Sequence, residues 1–123
     1  MCLIDAALEV TDDGIVCMAH IGLAGHPLGE AQGVPALHSV EYGAQAAALH
    51  HLARTHEQGA VSGGLLLQIR DLQVFVDYLD RLPQPMRISA HCMIATSETA
   101  RYVFEMRAGD VLASCGELTL RLT

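Results

Sequence analysis

The segment that most limits the fold is VPALHSVEYGAQAAALHHLAR, residues 34–54. Pro35 stands where a helix can begin at no cost, because the first helical N–H has no intrahelical partner in any case. Behind it, Ala36, Val40, Gly43, Ala44, Ala47 and Leu52 make the helix apolar on nearly every side, the pattern of a helix meant for an interior. It is expected to fade near Arg54–Thr55, before the polar stretch HEQGAVSGG. Within this apolar run lie Glu41 and Gln45, one turn apart. On a 3.6-residue helix His38, Glu41, Gln45, Ala48 and Leu52 share one stripe, so the polar groups are expected to form a local patch near the helix start, not a solvated face. A buried carboxylate is costly unless it is paired or protonated. Something must therefore compensate for Glu41 or make use of it.

The rest of the chain supplies strands. Residues 3–10 (LIDAALEV) and 15–21 (IVCMAHI) are short strand-like runs, and the T-D-D-G between them carries an Asp-Gly hairpin signal. Residues 22–33, with four glycines and a proline, are a loop. After the helix come a run at 65–76 that reads as one long strand or a bent pair, and a two-proline turn (YLDRLPQP). Three further runs follow at 86–96, 100–107 and 111–122; in the first, Met86, Ile88, Ala90, Cys92 and Ile94 share a face. The order is read as β-β-α-β-β-β: an α+β arrangement in which an antiparallel sheet wraps around one long helix. A chain of 123 residues can bury one real core, so a single domain spanning 1–123 is expected.

Charge and composition exclude several functions. Seven arginines, no lysine and fourteen acids give a net charge of −7, and there are five aromatic residues and no tryptophan. Nucleic acid needs a basic face and stacking aromatics, so it is not an expected partner. No apolar run approaches the ~18 residues of a membrane span. The start MCLIDAALEV lacks a basic region and carries Asp5, so a signal peptide is not expected and the location is read as cytoplasmic. There the thiols of Cys2, Cys17, Cys92 and Cys115, which include no C-x-x-C pair, are expected to stay reduced; a contact between Cys92 and Cys115 on neighbouring strands is conceivable, but no disulfide is expected. His38 with Glu41, and the group His50, His51 and His56, invite a metal. A site needs three or four convergent ligands, and adjacent helical residues point about 100° apart. No metal is expected.

Pro35, Ala36, Val40, Glu41, Ala44 and Gln45 spell P-A-x-x-x-V-E-x-x-A-Q. This resembles the helix start of the hotdog-fold 3-hydroxyacyl-(acyl carrier protein) dehydratases. The G-H-P at residues 25–27 resembles the upstream loop of the same family, and VEYGAQ is most similar to the small dehydratases of aryl polyene pigment assembly. The resemblance spans essentially the whole chain. It implies a hotdog fold, a homodimer or higher homo-oligomer, and an acyl carrier protein or coenzyme A thioester as partner, with no cofactor. It also implies catalytic roles for His26 and Glu41. His20 is the alternative histidine, but it lies in a strand pattern and not at the loop.

The chemistry of such a reaction suits these residue types. Removing water from a 3-hydroxyacyl thioester to give a trans-2-enoyl thioester needs a base for the C2 proton, an acid for the departing hydroxyl and a donor to the thioester oxygen. An imidazole suits the base. A carboxyl in an apolar helix setting stays protonated more readily and can donate. The free N–H groups at a helix start, near Ala36 and Leu37, suit the oxygen. Gln45 joins them as a substrate-side residue, though its amide also suits bracing the helix against a backbone group. Arg70, Arg81, Arg87, Arg101, Arg107 and Arg121 all follow the helix and would form a docking patch for an acidic carrier protein if they converged. Two rival readings use the same fold: an acyl thioesterase, which relies on the helix carboxylate without His26, and a non-catalytic acyl-binding subunit.

Overall fold

A computed structural model describes residues 3–22, 26–57 and 64–122, the side chains of 55–57, 64–67 and 122 excepted. Cys2, Gly25, the side chain of His56 and most of the linker after the helix therefore lie outside the described residues. The chain forms strands β1 (Ala6–Val10) and β2 (Gly14–Ala19), then helix α1 (Ser39–Glu57). Strands β3 (Gly64–Val74), β4 (Met86–Ala95), β5 (Thr99–Ala108) and β6 (Val111–Leu122) follow. The order is thus β-β-α-β-β-β-β. It has one strand more than expected, because each of the four runs after the helix is a strand of its own. The run at 65–76 remains one strand, bent by register shifts at Leu66/Gln68 and Arg70/Gln73. In the second shift Asp71 adopts φ +52°, a left-handed conformation that Asp tolerates better than most residues.

The strands make one antiparallel sheet in the order β1-β2-β4-β5-β6-β3. The T-D-D-G hairpin closes through the Thr11 N–H donating to the Gly14 carbonyl at 2.9 Å and the Gly14 N–H donating to Thr11 Oγ1 at 3.1 Å. Alternation then decides the core: Cys17 and Ala19 on β2, Ile88 and Ala90 on β4, and Phe104 and Met106 on β5 are all buried on the helix side. Burial pushes the Cys17 thiol up to about 11, which makes it an inert core residue. Because β5 runs between β4 and β6, Cys92 faces Tyr102 and Cys115 faces Glu105. The two thiols are therefore not cross-strand neighbours, and Cys17, Cys92 and Cys115 are free thiols, as expected of reduced cysteines.

The helix approaches the sheet where its side chains are smallest. A Cβ built on Gly43 would lie 2.6–2.9 Å from three atoms of the Phe104 ring, which is itself fully buried and has nowhere to go. Gly43→Ala is therefore expected to destabilise the protein by about 1–3 kcal/mol, the usual cost of overpacking, read as a lower denaturant midpoint at unchanged slope. Two turns further on, His50 is completely buried and fully bonded. The Thr11 carbonyl, 2.8 Å from Nε2, can only accept, so Nε2 carries the proton and Nδ1 accepts the Tyr102 hydroxyl at 2.6 Å. This histidine ties the first hairpin to the helix and to β5.

One expectation about the helix fails in an instructive way. The sheet covers one side of α1, and the opposite side stays open: Glu41 is exposed, with Leu37 at 63% and Leu52 at 39% on the same open side. The stripe that includes Glu41 is a solvated face of the single chain. The helix lies on the sheet and is not enclosed by it.

Candidate active site

The helix start is held by the segment that leads into β4. Pro35 is followed by a 3-10 turn, Ala36–His38, which runs into α1. The Leu79 N–H donates to the Val34 carbonyl at 2.8 Å, and Asp80 Oδ1 accepts the Val34 N–H at 2.8 Å. The Ala36 N–H donates to the Asp77 carbonyl at 2.9 Å. That last bond corrects the sequence reading: the Ala36 amide is committed to the fold and is not open to a thioester oxygen. Among the described residues nothing accepts the Leu37 N–H, and Leu37 itself is exposed. Ser39, at the first position of α1, is fully buried and its hydroxyl has no partner among the described residues.

His26 is reached from the other side of the helix. Its Nε2 lies 2.7 Å from Tyr42 Oη, and its Nδ1 accepts the Leu28 N–H at 3.0 Å. An Nδ1 that accepts cannot carry hydrogen, so in the neutral ring the proton is on Nε2 and is donated to the phenol oxygen. Burial lowers the His26 pKa below the ordinary 6.5, the Asp80 carboxylate opposes this and His38 adds to it, so the ring is neutral at pH 7. Tyr42 is 1% exposed, and burial, with Asp5 nearby, pushes its phenol up to about 12. Sequence reasoning missed Tyr42. The available clue was a polar-tipped aromatic on an Ala/Gly helix face, since a buried phenol usually finds a hydrogen-bond partner.

Glu41 and Tyr42 are successive residues, about 100° apart around the helix. Tyr42 turns inward and meets His26, whereas Glu41 turns outward to solvent. Gln45 is used structurally: its Oε1 accepts the Leu3 N–H at 2.8 Å, fastening the segment before β1 to the helix. His20, the alternative histidine, is exposed just after β2, where its N–H donates to Asp5 Oδ2 at 2.6 Å. Among the described residues no three His, Cys, Asp or Glu converge as a metal site.

The strand arginines do not form one patch. Arg87 and Arg107 are direct partners across β4 and β5, at the end of the sheet where β2 leads toward the His26 loop. Arg101 and Arg121 lie toward the opposite end. Arg107 is bridged to Glu105 at 3.0 Å and Arg101 to Glu117 at 3.1 Å, while Arg81 stacks 4.1 Å above the Tyr78 ring.

The lowered pKa values carry a consequence for stability. His26 and His51 are both held below 6.5, His51 by burial first, with the nearby Arg54 charge and then His50 adding to it. A histidine with a depressed folded pKa binds more protons when unfolded. Its contribution is therefore complete above about 6.5 and is lost as the pH falls through the folded value. Denaturant midpoints are expected to decline below pH 6.5, and His26→Ala is expected to flatten that decline.

The ApeP-like family of ApeP dehydratases matches residues 1–120. The chain belongs to this family. No curated protein matches its sequence. Among solved structures it is similar to the ApeI:P dehydratase heterocomplex from Xenorhabdus doucetiae, with a TM-score of 0.89 at 17% identity over 99% of this chain and 83% of that one. A thioesterase from Haemophilus influenzae superposes with a TM-score of 0.71 at 15% identity, covering 98% of this chain and 76% of that one. A mutant thioesterase from Staphylococcus aureus gives 0.73 at 13%, covering 96% and 92%. At such identities the likeness establishes the fold, which is the hotdog fold: one long helix packed on a curved antiparallel sheet. Among the described residues no helix is long and apolar enough to cross a membrane.

Proposed function

We propose that this ApeP-like protein dehydrates 3-hydroxyacyl thioesters, carried by an acyl carrier protein or coenzyme A, to trans-2-enoyl thioesters. In this reading His26 takes the C2 proton, Glu41 protonates the departing hydroxyl, and the Leu37 N–H at the helix start donates to the thioester oxygen. The observation that carries the reading is the placement of the two side chains. His26 is anchored on the inward side of the helix and Glu41 faces outward, so the site is completed by a second hotdog chain.

Two further features support that pairing. Among the described residues strand β3 has β6 as its one neighbour, which leaves an 11-residue edge without a strand partner there, and long open edges are uncommon in proteins that work alone. On that strand Ile69, at 41%, and Val74, at 46%, are exposed. A second chain paired along β3 would cover these residues and lay an apolar wall beside Glu41. That is the environment in which a carboxyl keeps its proton. The homodimer is the simplest such assembly; the ApeI:P structure shows that two different chains can also combine.

The engaged His26 ring favours one rival, a thioesterase in which Glu41 acts and His26 only braces the loop. Incubation with a crotonyl thioester separates the two. Loss of enoyl absorbance without release of free thiol is expected for the dehydratase running in reverse; thiol release without hydration would give the site to hydrolysis.

A further inference from the structure

The resting His26 ring offers no vacant lone pair. Nε2–H points to Tyr42 and the Nδ1 lone pair holds the Leu28 N–H, which arrives from the loop two residues on. The two contacts are unlike in kind. Tyr42 belongs to the buried face of a 19-residue helix, and its oxygen lies 2.7 Å from the ring. The Leu28 amide belongs to a turn, at 3.0 Å, and is itself a proton donor to the atom it occupies. A C2–H bond presented by a bound thioester is the same kind of partner for that lone pair.

We propose that Tyr42 is the positioning residue for His26, anchoring Nε2–H so that Nδ1 is the atom that takes the proton from substrate once the Leu28 N–H gives way. The inference rests on the catalytic reading of His26. In the step, the C2–H bond breaks, its electron pair passes into the thioester enolate, and an Nδ1–H bond forms. The ring becomes imidazolium while Nε2–H stays on Tyr42. Tyr42 thus stands to His26 as the third, orienting member stands to the base in a catalytic triad, but through a neutral phenol oxygen. The elevated phenol pKa fits this role, since the oxygen remains an acceptor that keeps its own hydrogen across the working pH range. An anionic partner would instead raise the basicity of the ring and hold it protonated.

Nitrogen-15 NMR of histidine-labelled intact protein reads the ring directly. Wild type is expected to show His26 as the Nε2–H tautomer, with a ring proton that exchanges slowly with water. Tyr42→Phe keeps the aromatic packing and removes the acceptor. It is expected to lose that slow proton and to lower kcat for thioester hydration about tenfold, with KM within about twofold, as displacement of a catalytic base does. A merely structural Tyr42 would leave ring and kcat unchanged in the Phe variant, and that result overturns the proposal. So does an Nδ1–H tautomer in wild type, a test that needs no variant if Tyr42→Phe fails to fold. His26→Ala in the same assay keeps the two ideas apart. Undiminished turnover there would remove His26 from catalysis, while the NMR result would still decide whether Tyr42 fixes the ring.

Discussion

Glu41→Gln is expected to lower turnover of a 3-hydroxyacyl thioester by about 100-fold or more, the usual scale for removing a general acid, with no change in the unfolding midpoint. The second half makes the test sharp. Glu41 is exposed and takes part in no ion pair or hydrogen bond among the described residues, so its amide analogue disturbs nothing that holds the chain together. Exposed substitutions of this kind move the stability of the chain by about 0.5 kcal/mol or less, and where a second chain covers Glu41 the amide has nearly the shape of the protonated carboxyl it replaces. A large loss of rate at constant stability can then come only from chemistry or substrate binding. His26→Ala is expected to match it in rate, with some loss of stability because Tyr42 loses its partner. His51→Ala should leave turnover unchanged. Dehydration that survives His26→Ala but not Glu41→Gln would transfer the site to the thioesterase reading.

Much of the fold was legible in sequence because strands and helix announce themselves by local means. Asp-Gly placed the first turn, Pro35 marked the start of the helical region, and alternation from Met86 to Ala90 separated core from surface. The count of strands slipped only because four runs after the helix were compressed into three. What local pattern cannot supply is the identity of the neighbour. Periodicity places Glu41 and Gln45 on one stripe, but not which side of that stripe the sheet covers. The apolar setting expected for Glu41 is therefore missing from the single chain. In the same way the Ala36 N–H reads as a free helix-start donor until a carbonyl from Asp77, far along the chain, is seen to take it. Tyr42 was passed over in the sequence, and became part of the site only when the loop carried His26 to its hydroxyl. Apart from the strand count, each shortfall concerns a contact between residues distant in sequence, either within the chain or with a second one.

Mixing the two inactive variants, His26→Ala and Glu41→Gln, is expected to restore about a quarter of wild-type activity. The expectation follows from where the side chains stand. If the inward His26 of one chain works with the outward Glu41 of its partner, a mixed dimer holds one site with both changes and one with neither. Random exchange makes half of the dimers mixed, and each mixed dimer has one of its two sites intact. The open β3 edge, with its exposed Ile69 and Val74, is the surface through which exchange would proceed. Native mass spectrometry of the mixture establishes that mixed dimers exist before activity is read. Recovery near a quarter fixes the site as shared between two copies of this chain. Mixed dimers with no recovery would place the two residues' work within one chain, or the chemistry elsewhere. That result would also remove the reason for Glu41 to face outward, and leave the open helix side to be explained by docking alone.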